Sequence, residues 1–260
     1  MPTSRQLLVL AAALSVFGHL EPIIAVSNTD TEHNANSTGN NETGFVALFD
    51  GKTLKGFEGN DQIWSAQDGM IVGKSPGISH NDFLSTKQRF KDFELRTEFR
   101  LVNGIGNSGI QFRSERVPDS TEVSGYQADL GQMFWGSLYD ESRRNKILNC
   151  PDPKATAKAL VQMFGPSFTM EIEDKTPSPD LEELNASLDK EGWNRFSIRA
   201  VGNRIVLRIN GHITAQYTEK EQRYVKAGII AFQVHSGPPC EVQFRNIRIK
   251  EIADSQNGGR

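Results

Sequence analysis

Two cysteines in 260 residues cannot staple a fold of this size, so an ordinary apolar core must hold the chain together. In an exported protein Cys150 and Cys240 can form one disulfide, and their wide separation in sequence leaves that question open. Neither has a histidine or another cysteine beside it at ligand spacing, which argues against a shared metal site. A strong excess of one charge sign is missing too. Twenty-nine basic residues against 32 acidic ones give a net charge of -3, and both signs are interspersed. That gives no support for nucleic acid or an acidic membrane surface as partner. No apolar run is long enough to span a bilayer comfortably, and no internal repeat is evident.

What is present begins with a leader. Arg5 supplies a positive start, Leu7 to Phe17 forms a short apolar run, and Ile23-Ile24-Ala25 precedes a plausible cut. Residues 1–25 therefore read as a secretory signal peptide, with an exported, periplasmic or extracellular product and no membrane contact after cleavage. No cysteine near the cut offers a lipid anchor. Residues 26–43 are rich in Asn, Thr, Ser and Gly without apolar periodicity, and read as a disordered linker. The folded domain spans 44–251, followed by a tail over 252–260.

Within that domain short alternating runs recur between turn signals at Asp50-Gly51, Asp68-Gly69, Gly202-Asn203 and Asn210-Gly211. The pattern predicts an all-β sandwich or jelly roll. Pro153–Phe164 and Leu181–Leu188 have helical composition and spacing, with Asp180 as an expected N-cap. The stretch from about 150 to 192 is expected to be a small helical insertion on the sandwich edge.

Candidate functional residues follow from strand parity. In Phe93–Leu101 the residues Glu94, Arg96, Glu98 and Arg100 share one face. Gln111 and Arg113 hold the polar side of the next run, so the two are expected to present one common polar surface. Gln127 and Asp129 share a parity, as do Gln233 and His235, and these are expected to join the same cleft. His235 titrates near neutrality and suits proton transfer. Glu94, Glu98 and Asp129 are candidate acids or bases. Asn107, Gln111, Gln127 and Gln233 are candidate hydroxyl binders, Arg113 a fixed cation for a developing oxyanion, and Trp135 a sugar-stacking platform. No metal motif of tight spacing is present. A divalent cation would require Glu94, Glu98, Asp129 and His235 to converge across strands.

Several blocks occur in order: Leu48-Phe49-Asp50-Gly51-Lys52-Thr53-Leu54, His80-Asn81-Asp82-Phe83-Leu84, Asn107 to Arg113, Gly125-Tyr126-Gln127-Ala128-Asp129, Gly136 to Asp140, Gly192-Trp193-Asn194 and Gly228 to Pro238. Together they resemble the 3-keto-disaccharide hydrolase domain family over about residues 44–251, with 142–191 fitting least well. The resemblance implies a concanavalin A-like jelly roll of two antiparallel sheets with a carbohydrate cleft on its concave face. It also implies an oxidised oligosaccharide or glycoside as substrate, a sugar carrying a ketone at C3.

Such a ketone acidifies the hydrogen on C2, so a base, an enolate stabiliser and an acid would suffice for elimination and hydration. Two other readings stand beside this one. A non-catalytic carbohydrate-binding module would use the same amides and aromatics. A conventional glycanase of this fold would need a close carboxylate pair, and the tight Glu-x-Asp-x-x-Glu strand signature of such enzymes is absent.

Overall fold

Alternation along the chain sets the architecture. In β6 (Phe93–Leu101) burial switches at every residue, so Phe93, Leu95, Phe99 and Leu101 face inward while the charged residues face out. The computed structural model describes residues 43–253 apart from Gln132, Gln222 and Arg223. The expected leader, nearly all of the linker and most of the tail lie outside the described residues.

Two antiparallel sheets pack face to face. The first runs in the order β13 (His212–Thr218), β12 (Arg204–Ile209), β11 (Asn194–Val201), β6, β15 (Cys240–Glu251), β4 (Met70–Ser75) and β3 (Trp64–Gln67), with β1 (Val46–Ala47) also on β15. The second runs β10 (Lys146–Asn149), β9 (Leu138–Glu141), β8 (Val123–Leu130), β7 (Ser108–Arg116), β14 (Ile229–Val234), β5 (Asp82–Thr86) and β2 (Phe57–Glu58). This is the concanavalin A-like jelly-roll sandwich. Ile230, Phe232 and Val234 of β14 enter the core between the sheets, where Phe232 meets Phe244 of β15 with ring centroids 4.6 Å apart. Truncating either ring would cost about 3–5 kcal/mol.

One expectation fails here, and the failure decides where the site lies. β6 pairs with β11 and β15, whereas β7 pairs with β8 and β14. The connection between β6 and β7 is not a hairpin. It begins with a 3-10 turn, and Gly104 (φ 64°) and Gly106 (φ 110°) carry it across the sandwich edge into the other sheet. Both strands keep the predicted parity, β7 as far as Phe112, but their polar sides face opposite directions.

Helix α1 (Pro153–Phe164) begins at Asp152, whose carboxylate accepts from the Lys154 and Ala155 N–H groups, with Pro153 in the first turn. Its Leu160 joins Phe134, Ile147, Cys150 and Ile172 in a separate apolar cluster on the outer side of β9 and β10. Helix α2 (Leu181–Ser187) buries Leu184 against the main core. The expected cap at Asp180 is absent: its carboxylate accepts from the Ile213 N–H at 2.8 Å instead, tying the insertion to β13. Cys150 and Cys240 are both free thiols, one in the α1 cluster and the other at the start of β15 beside Gly106. No helix among the described residues is long and apolar enough to cross a membrane.

Candidate functional site

The outer face of the second sheet gathers amides and acids. Register places Ile147, Tyr139, Gln127, Gln111 and Ala231 side by side across β10, β9, β8, β7 and β14. In the next row Asp129 stands opposite Gly109, and Gln233 opposite Phe83. Gly109 matters because it is bare. The Gln127 side chain lies over it, so that a β-carbon there would come within 2.7 Å of Gln127 Cδ. From that position Gln127 Nε2 donates to Asp129 Oδ1 at 2.8 Å and, more weakly, to Gln233 Oε1 at 3.4 Å. Gln111 Nε2 donates to the Val123 carbonyl at 2.9 Å.

Half of this amide capacity is unused. Gln111 Oε1, Gln127 Oε1, Gln233 Nε2 and, nearby, Asn107 Oδ1 and Ser85 Oγ are buried without a partner. An unmade buried hydrogen bond costs about 1–3 kcal/mol, so several on one sheet face mark a surface that polar ligand groups would relieve. The end of the β7–β8 hairpin closes the face from one side. Thr121 Oγ1 donates to the Asn81 carbonyl just ahead of β5, and Asn81 Nδ2 donates to Glu122 at 3.3 Å. The α1 cluster closes it from the other side, over Tyr139.

The acids on this face titrate abnormally. Burial pushes the Asp129 carboxyl well above the usual carboxylate range, against the lowering effect of its Gln127 bond, and Glu141 pushes it further up. Glu141 is raised to about 7, first by burial and then by the Glu122 carboxylate. Burial also raises Glu122 itself. The Tyr139 hydroxyl is driven up by burial and by the neighbouring acids Glu141 and Asp129, and stays protonated at any working pH. His235 is held neutral by burial. Its Nδ1 lies 2.6 Å from the Ser236 carbonyl, so an Nδ1–H tautomer leaves Nε2 as an acceptor. The Ser236 N–H donates to Asn81 Oδ1 at 2.9 Å, linking the His235 turn to the residue that holds Glu122.

Six of the ten residues singled out from sequence share this side of the sandwich: Asn107, Gln111, Gln127, Asp129, Gln233 and His235. The other four do not. Glu94 and Glu98 sit on the outer face of the first sheet, paired with Arg96 at 2.6 Å and Arg245 at 2.7 Å. A cation shared by Glu94, Glu98, Asp129 and His235 is therefore excluded by the sandwich between them. Among the described residues no group of three or more His, Cys, Asp or Glu is arranged to hold a metal ion.

Arg113 lies at a β-bulge with φ 48°. There its guanidinium donates to the Lys91 and Gly202 carbonyls and to Asp92, each at 2.7 Å, clamping the sandwich edge. Trp135 packs on Phe99 at the margin of the main core, with centroids 6.0 Å apart. Glu141 and Glu122 were missed. In Leu138-Tyr139-Asp140-Glu141 the inward Asp140 breaks the apolar–polar alternation, because two arginines, Arg143 and Arg144, satisfy it inside.

Fold and site thus define a jelly-roll sandwich that carries a buried carboxyl, two half-buried ones and unpartnered amides on one sheet face. Residues 44–250 match the 3-keto-alpha-glucoside-1,2-lyase-like domain, and the chain belongs to that family, in keeping with the resemblance of its sequence blocks. A segment of 85 residues is 33% identical to a 3-keto-disaccharide hydrolase of Bacteroides thetaiotaomicron; the match spans 28% of this chain and 29% of that relative. Two solved structures from Parabacteroides distasonis, both described as candidate glycosyl hydrolases, superpose with TM-scores of 0.53 and 0.52. They are 18% and 16% identical and cover 81% and 80% of this chain and 94% and 99% of their own, a likeness of fold.

Proposed function

We propose that the chain is an exported carbohydrate-active enzyme that cleaves 3-keto-glycosides by elimination and hydration. The observation that carries this reading is the pairing of a buried carboxyl, Asp129, with an unpartnered amide donor, Gln233 Nε2, bridged by Gln127 over the bare Gly109. Together they supply a base and an oxyanion donor on one face. Ionised Asp129 takes the proton from C2. The C–H electrons move into the C2–C3 bond, and the carbonyl oxygen becomes an enolate that accepts from Gln233 Nε2.

As the carbonyl re-forms, a C1–C2 double bond appears and the C1–O bond breaks. The leaving oxygen takes a proton from Glu141, whose value of about 7 keeps part of it protonated at neutral pH. Water then adds at C1 and regenerates the ring hemiacetal. A raised Asp129 is the stronger base when ionised, which suits a carbon acid. His235 is the second basic group of this face, and Asn107 and Gln111 offer acceptors for sugar hydroxyls.

The test is product analysis by NMR after incubating the purified chain in heavy water with a 3-keto-disaccharide and, separately, with its unoxidised parent. Cleavage of the keto sugar alone, with deuterium entering at C2 and loss of both in D129N, is the expected result. Cleavage of the parent would point to oxocarbenium-type hydrolysis. Saturable binding without turnover would leave a carbohydrate-binding module.

A further inference from the structure

The outer face of the first sheet, on the far side of the sandwich from Asp129, holds a cavity of about 520 Å³. That volume is within the range of small-ligand sites. Its charge follows the sheet register. Glu94 on β6 stands between Arg199 of β11 and Lys250 of β15, and Glu98 on β6 between Arg195 and Arg245. In both rows the acid at the centre has a cation on each side, as a solvated sheet face should.

The row between them breaks the rule. Across β12, β11, β6 and β15 it reads Arg208, Ser197, Arg96, Arg248, three guanidiniums and a hydroxyl with no carboxylate. Arg96 directly faces Arg248, and like charges opposite one another oppose pairing of the strands.

All four residues of that row line the cavity, as do Arg195, Glu94 and Glu98. The two acids are engaged, Glu94 by Arg96 and Glu98 by Arg245, while Arg208, half-buried, has no acid partner among the described residues. Both outer strands of the row carry irregularities at the cavity. β12 and β13 shift register at Leu207/Arg208, and β15 bulges between Arg245 and Arg248 with Asn246 at φ 53°. Bulges of this kind bend a strand and redirect side chains.

We infer that this row is a binding site for the oxyanions of an acidic glycan, carboxylate or sulfate groups carried on a saccharide. Four strands at the usual spacing give the row a length of about 14 Å, enough for a short run of sugar units. Guanidinium groups are the side chains best matched to planar carboxylates and to sulfate, and Ser197 with the Asn246 amide offers partners for hydroxyls. A single-stranded nucleic acid fits less well, because base stacking needs an exposed aromatic and Phe196, the one aromatic lining the cavity, is buried. The site does not depend on the catalytic reading of the opposite face.

The test is titration calorimetry of the full chain with an oligogalacturonide, a sulfated oligosaccharide of equal length and a neutral oligogalactoside. Saturable binding of either anionic probe and not the neutral one is expected, and the preferred probe assigns the oxyanion. R208Q should weaken binding about tenfold, and R195Q/R208Q further, with thermal melts unchanged. D129N should bind the anionic probe as the parent does while losing turnover on a keto-disaccharide, which separates the two faces. Equal affinity for the neutral sugar, equal affinity for a short single-stranded DNA, or an R208Q variant that binds like the parent would each overturn the inference.

Discussion

Arg113 is the sharpest point at which structure and sequence pattern disagree about function, so its removal is the most informative perturbation. The guanidinium is 1% exposed and its partner Asp92 is 6% exposed. Arg113→Met keeps most of the side-chain volume and deletes three charge-assisted hydrogen bonds: to Lys91 O, Gly202 O and Asp92 Oδ1. Breaking a buried pair by removing one partner costs about 3–5 kcal/mol, because the other charge is left without compensation.

Asp92 keeps the Gly202 N–H at 2.8 Å and the Lys91 ammonium at 3.9 Å, which places the expected loss near the lower end, about 3 kcal/mol. With a urea dependence of about 2–3 kcal/mol per molar, the unfolding midpoint should fall by roughly 1–1.5 M. The double variant D92N/R113M should recover part of that loss, since both charges are then gone, and the coupling from the double-mutant cycle measures the pair itself. Below the shifted midpoint, turnover per folded molecule should match the parent. An R113M variant that keeps its midpoint within about 0.3 M yet loses turnover on a keto-disaccharide would refute the edge-clamp argument and return Arg113 to the chemistry.

Two further expectations concern the acid–amide face. Glu141 holds its proton to about 7 in the folded chain against 4.5 for the free group. Its stabilising contribution is therefore complete below 4.5 and is lost as pH rises through 7. E141Q should flatten that part of the stability–pH curve measured by urea unfolding, while removing the limb of the pH–rate profile near 7; an unchanged curve would contradict the burial of this acid. G109A adds a β-carbon 2.7 Å from Gln127 Cδ and Cγ, which forces the amide off Asp129 and costs about 1–3 kcal/mol of overpacking. With the Gln127 bond gone, Asp129 should titrate higher still, seen as an upward move of the corresponding limb of kcat/KM, whereas a profile identical to the parent's would show that the bridge is dispensable.

Parity was legible in the sequence and partnership was not. The period-two pattern correctly sent Phe93, Leu95, Phe99 and Leu101 inward, and likewise Ile110 and Phe112. A pattern within one strand says nothing about which sheet receives it, and the crossing at 102–107 separated Glu94 and Glu98 from Gln111. Gln127 and Asp129 could be read because Tyr126, Ala128 and Leu130 alternate with them and are apolar or aromatic. Glu141 could not, because the inward position before it is the carboxylate Asp140, neutralised by Arg143 and Arg144 from a later turn. Arg113 misled for a related reason. A bulge turns its side chain to the sandwich edge, and a bulge leaves no mark in a five-residue alternation.

The position of the last two strands bears on how the chain reaches this structure at all. β14 is the strand that joins β7 to β5, and β15 the one that joins β6 to β4. Until the segment 229–251 arrives, each sheet exists as two unconnected halves with open edges, and neither face described above is complete. Closure thus waits for these two strands, and the pairings they make, β14 with β5 and β7 and β15 with β4 and β6, span long stretches of chain. Such a topology folds slowly. It also makes the segment 229–251 the point of greatest vulnerability: without β15 the domain would lack not one edge strand but the seam of the whole first sheet.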